Sequence, residues 1–238
     1  VRALVGSYAL HPDTNNLSVS LGADVQDASV VGSTFHEKVL GMTDGSVDFS
    51  GFVDYYTGGE VQTGLQTLYE AGGSNVVSLG VEAGAAVGTV SYFGTGIIST
   101  LSKFGGISDV APFNLTVELD DLFRGRVLGT QSGVTTTGVE AGYQLGAATS
   151  AQTIRSALHV FAVSGTTPTL DVVVESDTAD TWGGAETTRI THTQATAVTS
   201  QLSTLVGPVT DTWWRITYTI GGGSPVFSFF HSLAIAAT

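Results

Sequence analysis

The chain has 238 residues, a net charge of −13, 12% charged residues, 31 glycines, five prolines and no cysteine. The missing cysteine excludes disulfides, thiolate metal sites and cysteine nucleophiles, and the acidity sets the chain against nucleic-acid backbones. The charged share is about half the usual ~25% and glycine about twice its usual ~7%, so Ser, Thr, Gly and neighbouring subunits must cover the surface.

The length suits one large β domain or two small ones, and the scarcity of strong helix formers points to strands joined by tight turns. Residues 1–40 read as an extended, irregular arm. His11-Pro12-Asp13 and Asn15-Asn16 are turn signals, and Gly22, Gly32 and Gly41 punctuate short apolar pieces. The start, Val1-Arg2-Ala3-Leu4-Val5-Gly6, lacks the charged-then-apolar pattern of a signal peptide. One β domain is expected over 41–238, with a possible subdomain seam near 129–146, where glycine and threonine concentrate.

From residue 46 the pattern alternates. Val47, Phe49, Gly51 and Val53 share one face, and Ser46, Asp48, Ser50 and Asp54 the other. Residues 60–71 are the one helical stretch: Val61, Leu65, Leu68 and Tyr69 recur at helical spacing, and Gly72-Gly73 ends it. Residues 83–102 carry no charge, but four glycines and an alternating pattern make them part of a strand pair rather than a membrane span. Residues 112–120 place Leu115, Val117 and Leu119 inward. Residues 156–163 are apolar throughout, and 170–177 alternate. Trp214, Ile216, Tyr218 and Ile220 oppose Arg215, Thr217 and Thr219, and 226–235 end the chain with three phenylalanines. Regular short strands of this kind imply an all-β, two-sheet sandwich or barrel with one flanking α-helix.

The residues offer little chemistry. Phosphate-cradling, nucleophile-elbow and zinc-protease motifs are missing, and the five histidines have no ligand spacing, so no enzyme, cofactor or metal is expected. His159 and His231 sit in apolar strands, as core or interface histidines do. Asp171, Glu175, Asp177 and Asp180 read as a solvated edge rather than a calcium site. Glu118, Asp120 and Asp121 precede Arg124 and Arg126, which suggests local charge pairing or an inter-subunit bridge. Trp213 shares a face with Arg215 and is a candidate interface anchor. Between Val39 and Ser102 there is no Lys or Arg, yet Asp44, Asp48, Asp54, Glu60, Glu70 and Glu82 occur. Such a one-sign region is a candidate DNA-repelling face, set against chance in a chain with few basic residues.

Five short stretches carry a family resemblance. Val39-Leu40-Gly41-Met42-Thr43-Asp44-Gly45-Ser46-Val47-Asp48-Phe49-Ser50-Gly51-Phe52-Val53-Asp54 resembles the early hairpin of phage tail tube (major tail) proteins. Ile107-Ser108-Asp109-Val110-Ala111-Pro112-Phe113-Asn114-Leu115 is similar to the segment leading into a central strand of that family. Leu158-His159-Val160, Leu170-Asp171-Val172-Val173-Val174-Glu175-Ser176-Asp177 and Asp211-Thr212-Trp213-Trp214-Arg215-Ile216-Thr217-Tyr218 also resemble major tail proteins.

The resemblance implies a non-enzymatic virion protein of long-tailed, siphovirus-like bacteriophages, folded in the host cytoplasm. It implies hexameric rings, stacked into a tube that meets other tail proteins and conducts double-stranded DNA during ejection without binding it specifically. On this reading Asp44, Asp48, Asp54 and Glu82 are candidate lumen residues, the arm meets the next ring, and Arg124, Arg126 and Trp213 are candidate inter-subunit contacts. The alternatives are another virion β protein, such as a decoration or fibre module, or a carbohydrate-binding module using Trp182, Trp213 and Trp214.

Overall fold

The computed structural model describes residues 2–29, 35, 38–53, 64–82, 85–103, 111–184 and 186–237. The strands are β1 (Arg2–Val5), β2 (Tyr8–Ala9), β3 (Thr14–Asp27), β4 (Lys38–Phe52), β5 (Ser74–Gly80), β6 (Val90–Lys103), β7 (Pro112–Leu119) and β8 (Phe123–Val134). They continue with β9 (Gly138–Val139), β10 (Tyr143–Gln144), β11 (Gln152–Asp177), β12 (Thr187–Thr191), β13 (Thr199–Val206) and β14 (Trp213–Ala237). Among the described residues there is one α-helix, α1 (Leu65–Ala71). The protein is all-β, as its composition requires.

The chain groups into two compact units. The first holds Val1–Pro12, Asn75–Gly94 and Phe123–Thr238, and the second Asp13–Ser74 and Thr95–Leu122. The stretch 129–146 contains β8 to β10 and lies wholly inside the first unit, so no unit boundary falls there.

The first unit is built on the β11–β14 hairpin, which pairs from Gln152↔Ala237 to Asp177↔Trp213. Its register slips between Ser164 and Thr166 and again before Thr169. There Gly165, Thr167, Gly222 and Ser224 all adopt positive φ. Gly222, at φ 109°, could carry no side chain, since a Cβ would lie 2.6 Å from the Thr167 carbonyl oxygen. The hairpin turns a corner at these residues, and its two arms share one apolar core. Ile154, Leu158 and Val160 from one arm join Leu170, Val172 and Val174 from the other, with Trp214, Ile216, Phe227 and Phe229 between. One pair of strands thus supplies both layers of a sandwich.

The arm over residues 152–160 is also covered on its other face, where Ala157 and Ala234 meet Val76 and Phe93, and Phe230 meets Leu4, Ala9 and Val127. Burial on both faces is why residues 156–160 do not alternate and why Phe229 and Phe230 stand side by side; just beyond, Ala162 is exposed.

One expectation changes among the described residues. Within the span 1–40 expected as an irregular arm, the described residues form strands: Arg2–Val5 pairs with β5 in a register from Arg2↔Gly80 to Val5↔Val77, and Leu4 and Val5 are buried. A four-residue strand carries too short an alternation to declare itself, and its partner lies more than seventy residues away. The helix is described from Leu65, and the earlier part of the expected 60–71 span, with Val61, lies outside the described residues. Its end matches expectation: Gly72 has φ 56° and donates its N–H to the Tyr69 carbonyl.

The second unit is an antiparallel set ordered β3-β4-β7-β6. Its inward face holds Val47, Phe49, Ile98, Phe113, Leu115 and Val117, all buried, and Leu65 of the helix is fully buried. Gly51 follows from a close approach. A Cβ there would lie 1.9 Å from the Asp13 carbonyl, which accepts the Phe52 N–H.

Candidate functional site: a polar acidic sheet face

Cross-strand partners in an antiparallel sheet project to the same side, so the registers of the second unit define its outward face row by row. One row is Ser18, Asp48, Thr116 and Thr100, a second is Asn16, Ser50, Asn114 and Ser102, and a third is Ser20, Ser46, Glu118 and Ile97. Gly22 opposite Asp44 extends the first two strands by one more step. Eleven of the twelve residues in the three full rows are small, polar or acidic, and none is basic.

The carboxylates are held by hydroxyls rather than by cations. Asp48 accepts the Thr116 hydroxyl at 2.7 Å and Glu118 accepts Ser99 at 3.3 Å. Just past the sheet, Asp120 accepts Ser74 at 2.6 Å, and Asp121 accepts the Thr95 N–H at 2.6 Å. No cation among the described residues pairs with these carboxylates, so the face projects a negative potential into solvent.

Beyond this face β3 and β4 continue alone. β7 covers β4 only over Ser46 to Phe52, while the β3–β4 register runs on to Asp27↔Lys38. Within the described residues the outer part of this hairpin has no further strand partner. The inward row of β3, formed by Leu17, Val19, Leu21, Ala23 and Val25, runs out of core to pack against. Leu21 is 69% exposed and Met42 on β4 is 81% exposed, and Val25 and Val39 are exposed too.

The expected site residues separate accordingly. Asp44 and Asp48 lie on this one face. Asp54 lies outside the described residues. Glu82 belongs to the first unit, where its carboxylate accepts the Val90 N–H at 3.2 Å. Arg124 is exposed on β8 and has no ion pair among the described residues, whereas Arg126 donates to the Gly88 carbonyl and covers the Tyr143 ring at 5.6 Å. Glu118, Asp120 and Asp121 belong to the second unit and these arginines to the first, and the carboxylates accept serine hydroxyls and a backbone N–H. Trp213 is half-buried, between Gln144 and Asp177 in the pairing.

The later acidic group is dispersed as well. Glu175 pairs with Arg215 at 2.9 Å, Asp171 accepts Gln194, Asp180 accepts the Trp182 indole N–H, and Asp177 is buried against the Thr178 N–H. Trp214 is fully buried and Trp182 lies over the Arg215 guanidinium at 4.1 Å, so the three tryptophans form no exposed row. His159 is a core histidine with both nitrogens bonded, to the Gly6 carbonyl and the Ser78 hydroxyl, each at 2.7 Å.

Sequence reasoning missed the β3 contribution to the face. The signal was there: Leu17, Val19, Leu21, Ala23 and Val25 alternate with Ser18, Ser20, Gly22, Asp24 and Gln26, as clean a strand pattern as any in the chain.

No protein-family model matches the chain, and no curated protein matches it. Among solved structures it is similar to the SPP1 tail tube, at 11% identity and TM-score 0.41, over 52% of this chain and 76% of that one. It is similar to a chain of a native gene transfer agent virion, at 13% identity and TM-score 0.38, over 46% of this chain and 81% of that one. It is also similar to the SPP1 Dit protein of the hub adsorption apparatus, at 11% identity and TM-score 0.36, over 98% of both chains. At these scores the likenesses carry no inference.

Proposed function

We propose that the chain is a structural subunit of a phage tail, a tail tube protein that closes into hexameric rings and stacks them into a conduit for DNA. The polar face of β3, β4, β7 and β6 is the lumen wall, with Asp44, Asp48 and Glu118 supplying its negative potential. A conduit must let a polyanion slide, and a surface of hydroxyls, amides and carboxylates without a lysine or arginine offers phosphates nothing to hold. The role is that of a virion component, not an enzyme.

The observation that carries this reading is the outer β3–β4 hairpin. Among the described residues it has no further strand partner and shows a row of exposed apolar side chains, a combination that a chain left alone in water would keep as an aggregation hazard. A neighbouring subunit turns that liability into an interface. The hairpin also coincides with the stretch from Val39 to Asp54 that resembles the family's early hairpin. Arg124, exposed and without an ion pair among the described residues, is available to a carboxylate of a neighbour.

Electron microscopy of the purified protein across a concentration series tests the reading. Rings or hollow tubes of uniform bore are the expected result. A chain that stays monomeric at every concentration, both alone and with preformed tail tips offered as initiators, would overturn it.

A further inference from the structure

The first unit contains a hydrogen-bonded group that assembly does not explain. Ser156 on β11 places its hydroxyl oxygen 2.9 Å from His192 Nε2 and 2.8 Å from His231 Nε2 on β14. All three residues are buried, Ser156 and His231 completely. The two rings meet edge to face with centroids 5.5 Å apart. His192 Nδ1 lies 3.4 Å from the Ser203 hydroxyl on β13, while His231 Nδ1 is buried with no partner among the described residues.

Counting protons fixes the direction of these bonds. A serine hydroxyl has one hydrogen to give, and a neutral imidazole has one N–H and one bare nitrogen. The single hydroxyl hydrogen can serve only one of the two Nε2 atoms, so the other ring must donate. A buried N–H without an acceptor costs more than a bare lone pair, because it forfeits its whole hydration. His231 therefore carries its proton on Nε2 and leaves Nδ1 bare. Ser156 then donates to His192 Nε2, and His192 Nδ1–H points to Ser203.

We propose that this one-way relay, from His231 through Ser156 to His192, is an acid-sensitive latch that holds the segment after β12 to β11 and β14 only while both rings are neutral. A proton added at His192 Nε2 puts two N–H donors on one hydroxyl, which can accept both on its two lone pairs only by turning its own hydrogen away from the ring it served. Moving the His231 proton to Nδ1 would give that hydrogen a bare Nε2 again, but it sets the Nδ1–H where no described residue accepts it. A second proton leaves no satisfied arrangement and sets two cations side by side.

Among the described residues the groups that act on the two rings besides Ser156 are Gln201 and Ser203 from β13, and His159 from the opposite face of β11, and none of these is a carboxylate. Burial pushes His159 and His192 down to about 4, and His231 well below its ordinary value of 6.5. The folded state thus refuses protons that the unfolded state takes up. The stabilisation is complete above pH 6.5 and falls as the pH drops from 6.5 toward about 4.

Nitrogen NMR of the histidines in the intact protein is the first test and needs no mutation. At pH 7 His231 is expected as the Nε2–H tautomer and His192 as the Nδ1–H tautomer, both neutral. A His231 proton on Nδ1, or either ring charged at pH 7, would overturn the relay. Denaturant unfolding between pH 7 and 4 is the second test. His192→Gln should take up about one proton fewer on unfolding near pH 5, and Ser156→Ala should weaken the protein at pH 7. Unchanged proton uptake in His192→Gln would sink the latch. His159→Gln serves as the comparison: its ring bonds to groups that accept either charge state, so its loss should leave the tautomers of His192 and His231 as they are.

Discussion

The two units use their polar residues in opposite directions. In the first, charge and hydrogen-bonding capacity are turned inward. Arg189 reaches both the Ser176 hydroxyl and the Asp211 carboxylate, Arg215 is clamped by Glu175 and Glu186 under Trp182, and three histidines are buried. In the second, Lys38 pairs with Asp27 in the open, at the far end of the hairpin. The carboxylates of its polar face look outward with hydroxyl partners. A sheet covered on both faces must satisfy most of its polar groups internally, whereas a sheet with one open face can display them. The first unit therefore reads as a stable frame and the second as a displayed surface.

The sharpest way to break this contrast is to damage the frame. Trp214→Ala removes a fully buried indole whose N–H is donated to the Gly146 carbonyl at 2.9 Å. A loss of about 3–5 kcal/mol in denaturant unfolding is expected. A cost below ~1 kcal/mol would mean that the core between the two hairpin arms is not what holds the first unit together.

A smaller effect is expected at the partly buried pair. In Asp211→Asn the carboxylate that receives both Ser176 and Arg189, at 2.6 and 2.9 Å, loses its charge. Those two bonds hold the Asp211 carboxyl below its ordinary range, so its contribution is present at neutral pH and is lost as acid protonates it. The variant should lose about 1.5–3 kcal/mol at pH 7, and the gap from the native protein should close toward pH 3.

The displayed surface should behave the other way. Met42→Asp and Leu21→Asp alter side chains that are exposed in the lone chain, so monomer stability should move by less than about 0.5 kcal/mol. Assembly, followed by sedimentation, should weaken at least tenfold, which is about 1.4 kcal/mol of association free energy. Equal loss of stability and assembly would show that the outer hairpin packs into its own unit after all.

How much of this was legible in the sequence follows from the same contrast. Strands with one open face announced themselves: residues 47–53 and 112–120 alternate, and the structure buries Val47, Phe49, Val53, Leu115 and Val117 as the pattern requires, while Leu119 is half-buried. β3 was equally legible, and His11-Pro12 and Asn15-Asn16 drew attention away from the alternation that follows them. What could not be read is what depends on distant partners. β1 owes its existence to β5, the corner of the long hairpin to Gly165 and Gly222, each pressed against backbone of the opposite strand, and the relay to positions 156, 192 and 231, whose spacing has no period. The lumen candidates divided for the same reason. A run of like charge in sequence placed Asp44 and Asp48 on one face, but Glu82 went to the other unit, because a charge run follows the chain and a face follows the register.

The finest test of the contrast concerns the polar face alone. Asp48→Lys exchanges a half-buried carboxylate, bonded to the Thr116 hydroxyl, for a cation in the middle of the row Ser18, Asp48, Thr116 and Thr100. Folding should change little, by about 0.5–1.5 kcal/mol for the lost hydrogen bond, and rings should still form, since the outer hairpin is untouched. The difference should appear with DNA. A ring of Asp48→Lys copies turns a repelling wall into an attracting one, and retention of short duplex DNA by the assembled tubes should become measurable at low salt. That retention should fade steeply as salt rises, because it comes from phosphate contacts that release counterions. Native tubes should retain none at either salt. Tubes of the variant that ignore DNA at low salt would place Asp48 away from the bore, and the lumen wall would then have to be sought on another face of the chain.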